Sequence, residues 1–318
     1  IFKEDDGYYM VVGNKTEENV PQVLLFHSED GLKWNYVSVL AYDKDGKLGT
    51  MWECPDFFKL DDQYVLITSP QDIQADGELH NGNNTVYYMG KYDKNRHVFD
   101  YENVYSLDDG LDFYAAQTME AEDGRRIMIG WMQSWDSNIR PADQKWACMM
   151  TLPRELELVD GKIIQSPVRE IENYHRNTVH YMNQEIKGSC ELEGISGRII
   201  DMTAEIVSGD FREFTISIAK NDRYHTDFTI NKEKNIIEAD RTYSGMVRDA
   251  ISIRKANMKS PSDKCKIRMI LDKNSFEVFL NDGVQVFSTT FYTPLDADEI
   301  EFFCDGKAVV NIEKHDIV

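Results

Sequence analysis

The string Met51-Trp52-Glu53-Cys54-Pro55-Asp56-Phe57-Phe58 sets a carboxyl group among a Trp, a Cys and two Phe. Apolar neighbours of this kind strip solvation from a carboxylate and favour the protonated form that a general acid must hold. Pro55 removes a ladder donor, so the string belongs at a strand end or an edge, where Glu53 can face a cleft. The same residues also fit a surface Glu on an edge strand, with Trp52 in the core.

A second string, Gly110-Leu111-Asp112-Phe113-Tyr114-Ala115-Ala116-Gln117, is followed by Ile129-Gly130-Trp131-Met132-Gln133-Ser134-Trp135. Read as a strand, period-two alternation puts Asp112 and Tyr114 on one face and Phe113 on the other. An acid and a phenol side by side can bind sugar hydroxyls, and the Trp131 ring offers an apolar platform to the C–H face of a furanose or pyranose. A turn aspartate beside ordinary core aromatics fits these residues too.

Composition narrows what such a site can serve. The chain has 318 residues, 42% hydrophobic and 29% charged, with a formal net charge of -21, as expected of a folded chain and not of a disordered one. Residues 1–170 carry 16 basic and 31 acidic side chains, against 19 and 25 in residues 171–318. That field repels phosphate backbones and anionic lipid, so nucleic acid is excluded as a partner and a neutral, hydroxyl-rich small molecule is favoured. No apolar run reaches the roughly 20 residues that span a bilayer, so no membrane partner is expected. Cys54, Cys148, Cys190, Cys265 and Cys304 are scattered singly, which reads as reduced thiols in a cytoplasmic protein. The histidines show no HExxH and no repeated ligand spacing, so no metal and no cofactor are expected.

The elements that must position these residues read as nearly all β. Short Val-, Ile-, Tyr- and Phe-rich runs recur at Tyr8 to Val12, Val23 to His27, Tyr64 to Thr68, Thr85 to Gly90 and Ile127 to Trp131, separated by Gly- and Asp-rich turns. Around Tyr8, Tyr64 and Arg126 an acidic turn leads into a similar strand, at the spacing of propeller blades of about four strands each. Beyond Asn177 the alternating runs lengthen and Trp disappears; Ser275 to Ser288 reads as a hairpin whose Gly283 can take φ > 0. The expected architecture is a propeller part over residues 1–172 and an antiparallel β-sandwich over 173–318.

Taken together, the strings resemble glycoside hydrolase family 32, the invertase, sucrose-6-phosphate hydrolase and fructanase family. The resemblance rests on Trp52-Glu53-Cys54-Pro55-Asp56, Ser69-Pro70-Gln71, Gly110-x-Asp112-Phe113-Tyr114-Ala115-x-Gln117, and Gly130-Trp131-Met132-Gln133-Ser134-Trp135. Leu152-Pro153-Arg154-Glu155-Leu156 and Gln165-x-Pro167 continue it, and Glu238-Ala239-Asp240-Arg241 and Ser275 to Gly283 extend it to the second half. It implies a five-bladed β-propeller holding the active site, joined to a β-sandwich, and a retaining mechanism with an Asp nucleophile and a Glu acid/base. Glu53 matches the acid/base, Cys54 a neighbour whose S–H can hold that acid protonated, Asp112 and Tyr114 polar groups at the fructosyl subsite, and Trp131 a platform.

The family's WMNDPNG-like nucleophile motif does not occur in the 318 residues, nor does its Arg-Asp-Pro motif, of which Ile1-Phe2 resembles the continuation. The expectation is therefore an incomplete propeller of about three blades. Its open edge would need the missing N-terminal segment or another chain to cover it. Such a chain is expected to be inactive by itself. Two other readings stand beside the hydrolase: a non-catalytic fructoside-binding remnant, and a structural module built on the sandwich. Arg125, Arg126, Arg140 and Lys145 are candidates for a phosphosugar pocket, or ordinary solvated loop charges.

Overall fold

In a computed structural model, residues 1–135, 144–245, 251–260 and 264–318 are described. Among them, no helix is long and apolar enough to cross a membrane. The one helical element is the 3-10 turn Arg169–Tyr174. Everything else regular is strand, as the recurring β-branched and aromatic runs predict.

The strands form three four-stranded sheets and one nine-stranded sheet. The first sheet is Phe2–Glu4, Gly7–Lys15, Pro21–Ser28 and Asn35–Tyr42, and the second is Met51–Leu60, Gln63–Gln71, Val86–Asp93 and Val98–Ser106. The third is Tyr114–Glu120, Arg126–Trp131, Arg154–Val159 and Lys162–Pro167. In each, neighbours in sequence are neighbours in space. The strings around Tyr8, Tyr64 and Arg126 that look alike in sequence are each the second strand of a sheet, so the repeat is real at the level of topology.

The chain divides into two compact units: Ile1–Asp108, Phe113–Asp136 and Glu155–Ile163 form one, and Asp109–Asp112, Ser137–Arg154 and Ile164–Val318 the other. Within the first, the middle sheet is buried on both faces. Phe57, Leu66 and Tyr88 join Val23 and Leu25 in one core, while Phe58, Val65 and Ile67 join Met128, Leu156 and Ile163 in another. That is why Val65-Leu66-Ile67 reads as a continuous apolar run and not as an alternation.

Within the second unit, three strands are far longer than the sequence runs suggest: His175–Ser196, Ile200–Lys220 and Glu299–Ile317. Register shifts at Ile206/Ser208 and Phe211/Glu213 interrupt their alternation, so each long strand reads as shorter pieces. Ile200–Ile206 pairs with Cys265–Asp272, and Glu213–Ile218 pairs with Thr226–Asn231, which lets one strand serve both halves of the sheet around one apolar core. The hairpin predicted at Ser275 to Ser288 is present, pairing Ser275–Leu280 with Gln285–Thr290. Gly283 (φ +91°) lies so close to the Gln165 carbonyl that a Cβ would sit 1.7 Å from its oxygen.

Candidate active site

The strand Met51–Leu60 begins with ordinary alternation, burying Trp52, whose Nε1 donates to the Leu48 carbonyl at 3.0 Å. Alternation then breaks. Cys54 has φ +48°, and pairing with Gln63–Gln71 shifts register between Glu53 and Asp56. Pro55, which has no N–H to lose, sits inside this bulge, the kind of irregularity that re-aims a side chain.

The neighbouring sheet clamps the bulge. Gln117 Nε2 donates to the Cys54 carbonyl (2.8 Å), and Asp56 Oδ2 accepts from both Thr118 N (2.7 Å) and Thr118 Oγ1 (2.6 Å). Burial pushes the Asp56 carboxyl above its ordinary value, although the Thr118 hydrogen bonds and the Arg126 charge pull it down. A carboxyl raised on folding favours the fold when protonated and disfavours it as pH rises through the folded value. Asp56→Asn keeps an acceptor for Thr118 and cannot ionise. Wild type is therefore expected to gain stability relative to Asp56→Asn as pH falls from 7 toward 3, measured as the difference in Tm.

Glu53, half-buried, is held by three neutral donors that converge on one oxygen. Its Oε2 accepts from Gln71 Nε2 at 2.8 Å, from the Tyr114 hydroxyl at 2.9 Å and from Trp135 Nε1 at 3.0 Å. Among the described residues Oε1 has no hydrogen bond. Gln71 is fixed in turn, since Thr50 N donates to its carbonyl (3.0 Å) and Gly49 (φ +79°) leaves no room for a Cβ there. Tyr114 is fully buried and its hydroxyl also lies 2.9 Å from the Ser69 carbonyl. Burial, followed by the bond to Glu53 and the Glu53 charge, holds the Tyr114 phenol far above its ordinary value, so it stays a donor.

The Trp131 ring packs edge-on against Tyr114 (centroids 6.4 Å) and Trp135 (5.4 Å), and its buried Nε1 has no hydrogen-bond partner among the described residues. Trp135 is 65% exposed. Glu53, Gln71, Tyr114, Trp131 and Trp135 thus form a half-open patch of one carboxylate, neutral donors and indole rings, which suits an uncharged polyol better than an anion.

Sequence expectation and structure part company at Asp112. The strand starts at Tyr114, not at Gly110, so the alternation that put Asp112 beside Tyr114 does not apply. Asp112 is 0% exposed, and its Oδ2 accepts from the Arg241 guanidinium, from Thr290 N (2.8 Å) and from Thr290 Oγ1 (2.8 Å). It is an internal lock and presents no surface to a sugar. The Cys54 thiol is exposed, and burial of part of it together with the Glu53 charge pushes it above its ordinary value; it is not among the donors to Glu53. The residues that do hold Glu53, Gln71 and Trp135, were visible in sequence only as members of the Ser-Pro-Gln and Gly-Trp-Met-Gln-Ser-Trp strings. Of the basic candidates, Arg125 pairs with Asp123 (2.7 Å) and Glu155 (2.8 Å), Arg126 lies over the Phe58 ring (4.6 Å), Lys145 is exposed, and Arg140 lies outside the described residues. Among the described residues no group of three or more His, Cys, Asp or Glu side chains is placed to hold a metal ion.

Two further strings meet in the second unit. Arg154, 0% exposed, donates through Nε (3.0 Å) and Nη2 (2.6 Å) to Glu277 Oε2 and through Nη1 to Gln165 Oε1 (2.9 Å), while Leu152 N donates to Glu277 Oε1 (2.7 Å).

The family model for the glycosyl hydrolases family 32 N-terminal domain matches residues 1–167, and that for the family 32 C-terminal domain matches residues 170–317. The chain belongs to glycosyl hydrolase family 32. It is 28% identical over 319 residues to a sucrose-6-phosphate hydrolase of Staphylococcus xylosus, covering 100% of this chain and 64% of that protein. To a sucrose-6-phosphate hydrolase of Zymomonas mobilis it is 33% identical over 332 residues, covering 97% of this chain and 63% of the relative. Among solved structures, a family 32 β-fructofuranosidase of Bombyx mori matches with TM-score 0.81 and 26% identity over 99% of this chain and 64% of that one. A sucrose-6-phosphate hydrolase of Lactobacillus gasseri shares the fold with TM-score 0.87 at 24% identity, over 100% and 65%. This chain therefore spans somewhat less than two thirds of the length of the curated relatives it matches.

Proposed function

We propose that this chain carries the acid/base half of a retaining β-fructofuranosidase site, with Glu53 as the group that protonates the leaving oxygen and then activates water. The observation that supports it is the asymmetry of Glu53. One oxygen accepts from three donors, and the other accepts no hydrogen bond among the described residues, so the carboxyl is oriented with one oxygen left to serve a substrate. Trp131 and Trp135 wall the fructosyl group, while Gln71 and the buried Tyr114 hold the acid.

Retaining chemistry needs a second carboxylate about 5 to 5.5 Å away to attack the anomeric carbon. Among the described residues, the side chains that bond Glu53 are an amide, a phenol and an indole, and no WMNDPNG-like string occurs among the 318 residues. The nucleophile is accordingly proposed to come from residues outside these 318, and the chain by itself to bind fructosides without cleaving them. Sucrose, sucrose 6-phosphate and short fructans are the substrates to try, because relatives carry those names.

The test is fructose release from each of the three, by the 318-residue chain and by the product of its whole gene. The chain alone is expected to release none above blank and the whole product to turn over. Turnover by the chain alone would overturn the second-carboxylate proposal. No fructose from the whole product on any β-fructoside would overturn the activity.

A further inference from the structure

The Tyr114 hydroxyl has one proton and two acceptors at the same 2.9 Å, Glu53 Oε2 and the Ser69 carbonyl. It can serve only one at a time. Gln71 and Trp135 already donate to Oε2, so that oxygen has no lone pair to spare for a proton, and protonation belongs on Oε1. We propose that Tyr114 is a positioning residue whose hydroxyl switches between these acceptors with the charge on Glu53. This rests on the reading of Glu53 as the acid/base.

With Glu53 neutral, Oε2 is the carbonyl oxygen of an acid, a weaker acceptor than the Ser69 amide carbonyl, and the hydroxyl points to Ser69. When Oε1 gives its proton to the leaving oxygen, Oε2 becomes half of an anion, and a charge-assisted bond from Tyr114 outcompetes the neutral one. The O–H proton stays on Tyr114 throughout; only its direction changes. The bond is thus made as negative charge develops, which is when it assists proton release. When Glu53 later takes a proton from water, the hydroxyl returns to Ser69. Burial of Tyr114 keeps bulk water from substituting for either partner.

Among the described residues, the titratable groups around Glu53 are as follows. On its own strand are Cys54 and Asp56; the strand Gln63–Gln71 contributes only neutral Ser69 and Gln71, with Asp72 beyond them bonded to Thr50 Oγ1 (2.7 Å); and from the third sheet come Tyr114 and, after it, neutral Trp135. Cys54 and Asp56 remain in every variant below, so a response that depends on Glu53 or Tyr114 is separable from theirs.

The experiment follows the Ser69 carbonyl 13C and the Glu53 side-chain 13C by NMR across pH in the 318-residue chain, without substrate. In wild type the Ser69 signal is expected to shift with the same midpoint as the Glu53 signal. In Tyr114→Phe the Ser69 shift is expected to vanish while Glu53 still titrates. In Glu53→Gln, which retains the hydroxyl but carries no charge to change, the pH-dependent shift of Ser69 is expected to vanish. A Ser69 signal that is flat in wild type, that shifts unchanged in Tyr114→Phe, or that still shifts with pH as in wild type in Glu53→Gln overturns the proposal. Because no turnover is read, a failure here is distinct from a failure of the hydrolase reading.

Discussion

Replacing Glu53 by Gln is expected to lower fructoside hydrolysis by the whole gene product by about 10²–10⁴-fold, the range that a positioned general acid–base group contributes. The amide is nearly isosteric. Its carbonyl can take the place of Oε2 and keep accepting from Gln71, Tyr114 and Trp135, and its NH2 then occupies the place of Oε1. An amide donates a hydrogen bond but cannot transfer the proton. The fold should be untouched, so Tm and circular dichroism are expected to match wild type while steady-state hydrolysis collapses. A rate within threefold of wild type would remove Glu53 from the chemistry.

The largest stability effect is expected at Arg154. Its guanidinium and the Glu277 carboxylate are 0% and 5% exposed, so Arg154→Met removes from a buried carboxylate the cation that donates to it through two nitrogens. Breaking a buried pair from one side costs about 3–5 kcal/mol, whereas replacing both members by apolar groups is often close to neutral. Arg154→Met is therefore expected to move the denaturation midpoint of the second unit sharply down, and adding Glu277→Met to restore a large part of it. A single variant as stable as wild type would show that solvent or another cation reaches Glu277. The Asp112–Arg241 pair is built on the same principle, with Thr290 as the additional donor to the carboxylate.

Much of this architecture was legible in the sequence. The β-rich runs, the repeated second strands at Tyr8, Tyr64 and Arg126, and the Gly283 hairpin are local signals, set by side-chain preference and turn chemistry within a few residues. Pro55 reads in sequence as a strand end or an edge, whereas the structure places it in a bulge inside Met51–Leu60, beside Cys54 at φ +48°. What the sequence did not disclose depends on partners far along the chain. Asp112 looked like half of a sugar-binding pair because a strand was assumed to begin at Gly110; its true partner, Arg241, is 129 residues away. The donors to Glu53 come 18, 61 and 82 residues later, and no periodicity links such positions. The long strands of the second unit were hidden by their own bulges. The strings that carry the family resemblance sort into two physical kinds, those that meet at the Glu53 carboxyl (Gln71, Tyr114, Trp135) and those that form buried locks (Asp112 with Arg241, Arg154 with Glu277 and Gln165).

The central claim is that Glu53 delivers a proton to the leaving oxygen, and the most direct test is the leaving-group dependence of Glu53→Gln in the whole gene product. The glucose unit of sucrose leaves as an alkoxide unless its oxygen is protonated, whereas β-fructosyl fluoride expels a group that needs little help from an acid. A loss of at least about 10²-fold is expected on sucrose and of less than about tenfold for cleavage of the fluoride, read as release of fluoride under single-turnover conditions. Equal losses on the two substrates would contradict it and would assign Glu53 to binding or to the fold.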